Sequence, residues 1–201
     1  MKILIDNGHG SNTPGKASPD GRLREYAYTR EVAKGIVTGL KRKGYDAELL
    51  TPETLDVKLG ERVRRANAET RKAGGTTKCI VVSIHTDASP PNDNQWHEAG
   101  GRWSARVSLN ASKRSKLLAH HLAEAARAKG LKVGQPLPGQ DYWPQNLAIC
   151  RDTNCPAVLT ESLFHNNRKD VDYLLSPTGK QAIIQLHIDG IINYITKEAT
   201  T

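Results

Sequence analysis

Aromatic residues are scarce in this 201-residue chain: they make up 5% of it, with a single Phe and a single Met. A core must therefore be aliphatic, assembled from Val, Ile, Leu and Ala. Cysteine is rarer still, three residues with no Cys-x-x-Cys pair, which argues against a disulfide framework. Cys79 and Cys150 lie within apolar runs, so buried thiols are expected, and Cys150–Cys155 is the one bridge the spacing leaves open. No apolar run approaches the roughly 20 residues that cross a bilayer, which excludes a spanning helix. The His-Glu-x-x-His signature of many zinc peptidases is absent. So are internal repeats and low-complexity linkers. A chain of this length would bury roughly 70% of its unfolded surface, enough for one domain spanning residues 1–201 without disulfides or a structural metal.

Negative charge is in deficit. The net charge is +8, which first suggests a nucleic-acid partner. The basic residues are dispersed, however, as in Arg62, Arg64, Arg65, Arg71 and Lys72, with no aromatic interleaving and no binding motif. A solvated helix face is the expectation, with no nucleic acid bound. A positive field would instead favour approach to an anionic surface and fade with salt.

Strand and helix patterns alternate along the chain. A first strand around Ile3-Leu4-Ile5 and a loop from Gly10 to Gly21 lead to a helix from about Glu25 to Lys43, with Val32, Ile36, Val37 and Leu40 at helical spacing. A strand near Asp46 to Leu50, a helix from about Lys58 to Ala73, and the apolar run Cys79 to Ile84 come next. A long loop is expected from Ala88 to Asn110, then a helix from Ser112 to Lys129. Short strands are expected near Leu131 to Val133, Leu147 to Cys150 and Ala157 to Thr160. Ser176 and Pro177 should start a final helix whose Ile183, Ile184, Ile188, Ile191 and Ile195 face a sheet. This order predicts a three-layer α/β domain, a mostly parallel central sheet with helices on both faces.

Three strand ends each deliver a polar residue. His9 follows the first strand inside Asp6-Asn7-Gly8-His9-Gly10, where glycines permit a sharp turn; His85 follows Ile80 to Ile84; Glu161 follows Ala157 to Thr160. Open α/β sheets bind ligands outside the carboxyl ends of their strands, so these side chains can converge. Glu25 joins them from the start of the first helix. Two imidazoles and a carboxylate form a known catalytic zinc set, leaving a fourth position for water. A second carboxylate must then move the water's proton, and Glu161 is the candidate. Asp6 is placed to orient a zinc histidine. His97, His120, His121, His165 and His187 are read as non-ligands, with His187 a core residue.

These residues resemble the zinc-dependent N-acetylmuramoyl-L-alanine amidases, whose ligands are His, Glu and His. The resemblance rests on Asp6 to Gly10, Arg24-Glu25, Ser83 to Ala88 and Pro156 to Asn167, in the family's order and spacing, with weaker echoes at Leu59 to Asn67 and Gly190 to Tyr194. It covers almost the whole chain. It implies zinc on His9, Glu25 and His85, Glu161 as the catalytic acid-base, and bacterial peptidoglycan as substrate. Departures are Asn7 where the family usually has proline, Asp87 where it has asparagine, and Leu163 where it has glycine before Phe164. Leu163 is expected to alter the approach of substrate to Glu161. Trp96, Trp103 and Trp143 are candidates either for stacking on sugar or peptide faces or for anchoring loops. Arg151 and Asn167, with Trp103 and Trp143, are candidates for holding substrate. No separate wall-binding module is expected within residues 1–201. Met1-Lys2 runs straight into the first strand without room for a secretory leader, so the expectation is an endolysin-type enzyme of phage or prophage origin. Such an enzyme would be made in the cytoplasm and would reach the wall after release by a holin-type protein. The same ligand set would also serve a zinc peptidase cutting within the stem peptide, or a zinc-containing wall-binding protein without catalysis.

Overall fold

The computed structural model describes residues 1–90 and 94–198. Among these residues six strands form one sheet: β1 (Lys2–Asn7), β2 (Asp46–Leu49), β3 (Cys79–Asp87), β4 (Trp103–Val107), β5 (Trp143–Pro144) and β6 (Ala157–Phe164). Their order is β2-β1-β3-β6-β4-β5. β1 runs parallel to β2 and β3, β3 to β6 and β4 to β5, while β4 pairs antiparallel with β6. The helices are α1 (Glu25–Arg42), α2 (Leu59–Lys72), α3 (Lys113–Ala128), α4 (Ala148–Arg151), α5 (Arg168–Leu175) and α6 (Pro177–Glu198).

Side chains alternate across a strand, and that alternation divides the core in two. Ile3, Ile5, Ile80, Val82, Ile84 and Val158 face α1, α3 and α6, packing with Val32, Ile36, Leu118, Leu122, Ile183 and Ile191. Leu4, Val81, Ala157 and Leu159 face the other way, against Ala66 of α2 and Ile149 of α4. The result is the expected three-layer arrangement. The second core is shallower, and its rows become polar toward the carboxyl ends: Leu4 gives way to Asp6, Val81 to Ser83 and His85, Leu159 to Glu161. The site therefore continues the smaller core. Ile183, Ile188 and Ile191 are buried as expected, while Ile184 and Ile195 are half-buried against the same core. Ser176 Oγ accepts from Gly179 N at 3.0 Å, capping the helix that Pro177 opens.

Several elements differ from the sequence reading. The expected loop from Ala88 to Asn110 contains β4, and its residues 91–93 lie outside the described residues. Leu147 to Cys150 forms a helix rather than a strand, since α4 spans Ala148–Arg151; a four-residue apolar run has no period of its own. Leu131 to Val133 contributes one isolated bridge, Trp103 to Val133. α5 was unforeseen, and Asn167 caps it by accepting from Asp170 N at 3.0 Å. Arg62 is not on a solvated face: it is 3% exposed. All three cysteines are free and buried.

Candidate metal centre and its neighbours

His9 stands just past β1 with φ 57°, in the left-handed region, and the glycines around it are there for space as much as flexibility. A Cβ on Gly8 would fall 2.4 Å from the His85 ring, and one on Gly10 would fall 1.9 Å from the Asp56 amide nitrogen. The Gly-His-Gly turn thus lets two imidazoles approach edge to face, their centroids 5.1 Å apart at 84°. Glu25, in the first turn of α1, closes the group from the other side. Its Oε1 lies 3.0 Å from His85 Nδ1 and accepts from Thr86 N at 3.0 Å, and its Oε2 lies 3.5 Å from His9 Nε2. Potential donor atoms of His9, Glu25 and His85 all lie within 4.8 Å of one another.

Burial and charge set the proton affinities. Burial opposes ionisation of Glu25, yet the hydrogen bond and charge of His85, the charge of His9 and the Thr86 amide hold the carboxyl below its usual range. Burial likewise works against protonation of His85, and Glu25, with its hydrogen bond and its charge, outweighs it, raising the imidazole. His9 is lowered, chiefly by burial.

The donor set fits a catalytic metal. Glu25 is 1% exposed, and its Oε2 has no hydrogen-bond partner among the described residues. An orphaned buried carboxylate oxygen is costly, and a cation beside two imidazoles would satisfy it. Glu161 lies opposite His85 in the parallel register of β3 and β6, on the same face. Its Oε2 is buried and also unpartnered. Burial pushes its carboxyl up to about 8; His85 works against that shift, while Asp87 and Glu25 reinforce it.

Arg62 is the residue that sequence reasoning missed. From α2 its guanidinium donates to Asp6 Oδ1 and to the Asn7 carbonyl, both at 2.7 Å, and to Asp56 Oδ1 at 2.8 Å. It ties the His9 turn to α2. Asp6, 2% exposed, also accepts from Thr51 Oγ1 at 3.0 Å and Ser83 Oγ at 2.6 Å. Its carboxylate thus holds Arg62 and Ser83, with no hydrogen bond to a histidine ring among the described residues. The weak echo over Leu59 to Asn67 contained Arg62 but gave it no role. His165, read as a non-ligand, lies beside the group: it is 1% exposed, with Nδ1 3.2 Å from Thr86 Oγ1 and 4.0 Å from Glu25 Oε2.

The candidate substrate contacts disperse. Trp103 is 0% exposed and meets His187 edge-on at 6.3 Å in the larger core, so it is an anchor and cannot stack on substrate. Asn167 is 4% exposed and donates to the carbonyls of His97 and Glu98, fastening a loop. Arg151 pairs with Asp152 and Asn146 at 2.6 Å and lines a hollow with Thr76, Thr77 and Pro156, which precede β3 and β6, at the opposite end of the sheet from His85. Trp96 packs beneath Arg168 at 4.3 Å. Trp143 is half-buried, as Trp96 is, and lies in a cleft with Arg102 and Arg106. Leu163 does not obstruct Glu161: at φ 60° it turns its side chain into the larger core, 7% exposed. A second group, His120, Glu124 and Asp141, has donor atoms equally close, but Arg127 already bonds both carboxylates.

A histidine-carboxylate cradle at the carboxyl edge of a mostly parallel sheet defines an α/β domain with a candidate metal site. The chain belongs to the N-acetylmuramoyl-L-alanine amidase family, whose model matches residues 3–193. It is 26% identical over 191 residues to the endolysin of Bacillus phage SPP1, covering 94% of this chain and 64% of that protein. It is 24% identical over 196 residues to the probable cell wall amidase LytH of Staphylococcus saprophyticus, covering 97% of this chain and 58% of the relative. The chain thus spans about three fifths of the length of these relatives. The amidase Ami1 of Mycobacterium smegmatis superposes with a TM-score of 0.82 at 20% identity, covering 98% of this chain and 97% of that one. The catalytic domain of CwlV from Bacillus (Paenibacillus) polymyxa var. colistinus gives 0.77 at 23% identity, over 98% and 99%. These two share the fold.

Proposed function

We propose that this domain is a zinc-dependent hydrolase of the amide joining the lactyl group of N-acetylmuramic acid to L-alanine of the peptidoglycan stem peptide. The observation that carries the reading is the convergence of His9, Glu25 and His85, with Glu161 in register beside His85, in a chain of this family. The likeness to a phage endolysin and to LytH supports the bacterial wall as the setting.

His9, Glu25 and His85 would hold the metal, and zinc bound there would supply Lewis-acid polarisation of the scissile carbonyl and of the attacking water. Glu161 accepts the water's proton and returns it to the departing alanine nitrogen. A carboxyl buried enough to titrate near 8 keeps a proton between those transfers. Positive charge in the adjacent cradle would favour the ionised carboxylate and draw that value down toward neutral pH, where a general acid-base works best. Arg62 keeps the His9 turn in place through the Asn7 carbonyl.

Digestion of purified peptidoglycan tests the assignment. Newly freed L-alanine amines are expected. New termini within the peptide would replace the amidase with a peptidase, and adsorption without products would leave a binding protein.

A further inference from the structure

The sheet face that carries His85 and Glu161 continues across β4 and β5 into a cleft of about 470 Å³, lined by Asp87, Arg102, Ser104, Arg106, Trp143 and Phe164 among others. Ser104 stands opposite Glu161 in the β4–β6 register, and Trp143 opposite Arg106 in the β4–β5 register. Arg102, Ser104 and Arg106 alternate with the buried Trp103 and Ala105, so all three share the face of Glu161. With strands spaced about 4.8 Å apart, β4 lies roughly 10 Å across the sheet from His85.

The cleft is cationic and incompletely satisfied. Arg106 donates to Asp87 Oδ2 at 2.8 Å and to Gln145 Oε1 at 3.2 Å, but its Nε is buried and has no hydrogen-bond partner among the described residues. Arg102 is exposed and has no ion pair among them. Two guanidinium groups thus face one carboxylate, flanked by the aromatic rings of Trp143 and Phe164. This arrangement suits a planar anion on a partly apolar chain.

The chemistry of the substrate proposed above says which part that is. The lactyl carboxyl is consumed in the scissile amide and the adjoining sugars are uncharged, so the anionic groups lie on the peptide side. An extended peptide advances about 3.4 Å per residue, so roughly 10 Å reaches the second or third residue beyond the cut. We propose that Arg102 and Arg106 read the free carboxylate of the second stem-peptide residue, with Trp143 beside it, directing the peptide toward β5 and the sugar toward His9. The inference rests on the amidase reading.

Calorimetric titration decides it. The probes are L-alanyl-γ-D-glutamyl-L-lysinamide with the α-carboxylate of its glutamate free and the same peptide with that group as the carboxamide. The protein should bind the free acid about tenfold or more tightly, as a charge-assisted contact gives. Arg102→Gln, an exposed change, should remove most of that preference, and with cleavable muramoyl peptides its loss should sit in KM rather than kcat. Equal affinity for the two peptides, or a preference untouched in Arg102→Gln, overturns the proposal. The titration reads the cleft whichever bond is cut. A surviving preference without release of L-alanine amines sinks the reaction assignment alone; amine release without a preference sinks the cleft alone.

Discussion

Arg62 donates to the main-chain oxygen of Asn7 at 2.7 Å, two residues before His9, while the same nitrogen holds Asp6 at 2.7 Å. One buried side chain therefore couples α2 to the turn that presents an imidazole. Removing it strands a buried carboxylate and frees that turn. Arg62→Met should cost about 3–5 kcal/mol of stability, the usual consequence of breaking a buried ion pair on one side. It should also weaken zinc binding. Denaturant melts and a zinc titration check both, and a variant within 1 kcal/mol of wild type with unchanged zinc affinity would remove Arg62 from this role.

Leu163 occupies φ 60°, a backbone region that costs a non-glycine residue roughly 1–2 kcal/mol. Leu163→Gly and Leu163→Ala both lose the buried side chain, but only glycine is released from the backbone cost. The glycine variant should be more stable than the alanine variant by about 1 kcal/mol, the reverse of the order in a helix. Alanine proving the better substitute would show that the turn is not strained.

His187 gives stability a pH dependence. Its Nδ1 lies 2.7 Å from the Ile183 carbonyl and its Nε2 2.9 Å from Thr160 Oγ1, so the neutral ring donates to the former and accepts from the latter. Burial pushes its pKa down to about 4 from 6.5, against the weaker opposing hydrogen bond to Ile183. The unfolded chain then binds the proton first. The stabilisation is complete above pH 6.5 and is lost as pH falls toward 4, by on the order of 3 kcal/mol. His187→Gln, which cannot titrate, should show a shallower acid slope over that window in chelator. Parallel curves for the two proteins would refute this.

Glu161→Gln should retain zinc and the fold while losing roughly 10²–10⁴-fold in kcat, the span of general acid-base catalysis. Steady-state amine release with metal analysis of the same sample provides the check, and near-normal turnover would exclude Glu161 from proton transfer.

Much of the architecture was legible because its signals were long. The Val32 to Leu40 periodicity of α1, the run of β3 and the isoleucines of α6 each persist over enough residues to fix a period. The four-residue run at Leu147 did not, and it became α4. β4 was hidden because Trp-Ser-Ala-Arg-Val sits among Gly, Pro and Asn, and its alternation sends Trp103 into the core while Ser104 and Arg106 face the cleft. His9, Glu25, His85 and Glu161 could be picked out because the carboxyl-terminal parts of strands and a helix start converge by topology, although β3 and β6 run past His85 and Glu161 to Asp87 and Phe164. Arg62 could not: an arginine on a charged helix is buried only because Asp6 and the Asn7 carbonyl await it, and no local pattern records that pairing.

The central claim is tested most directly by zinc content together with release of L-alanine amines from peptidoglycan, for wild type and His85→Ala. About one zinc per chain and amine release in the wild type, both lost in the variant, is the predicted result. A wild-type protein that binds no zinc and frees no amine in zinc-replete buffer would contradict it.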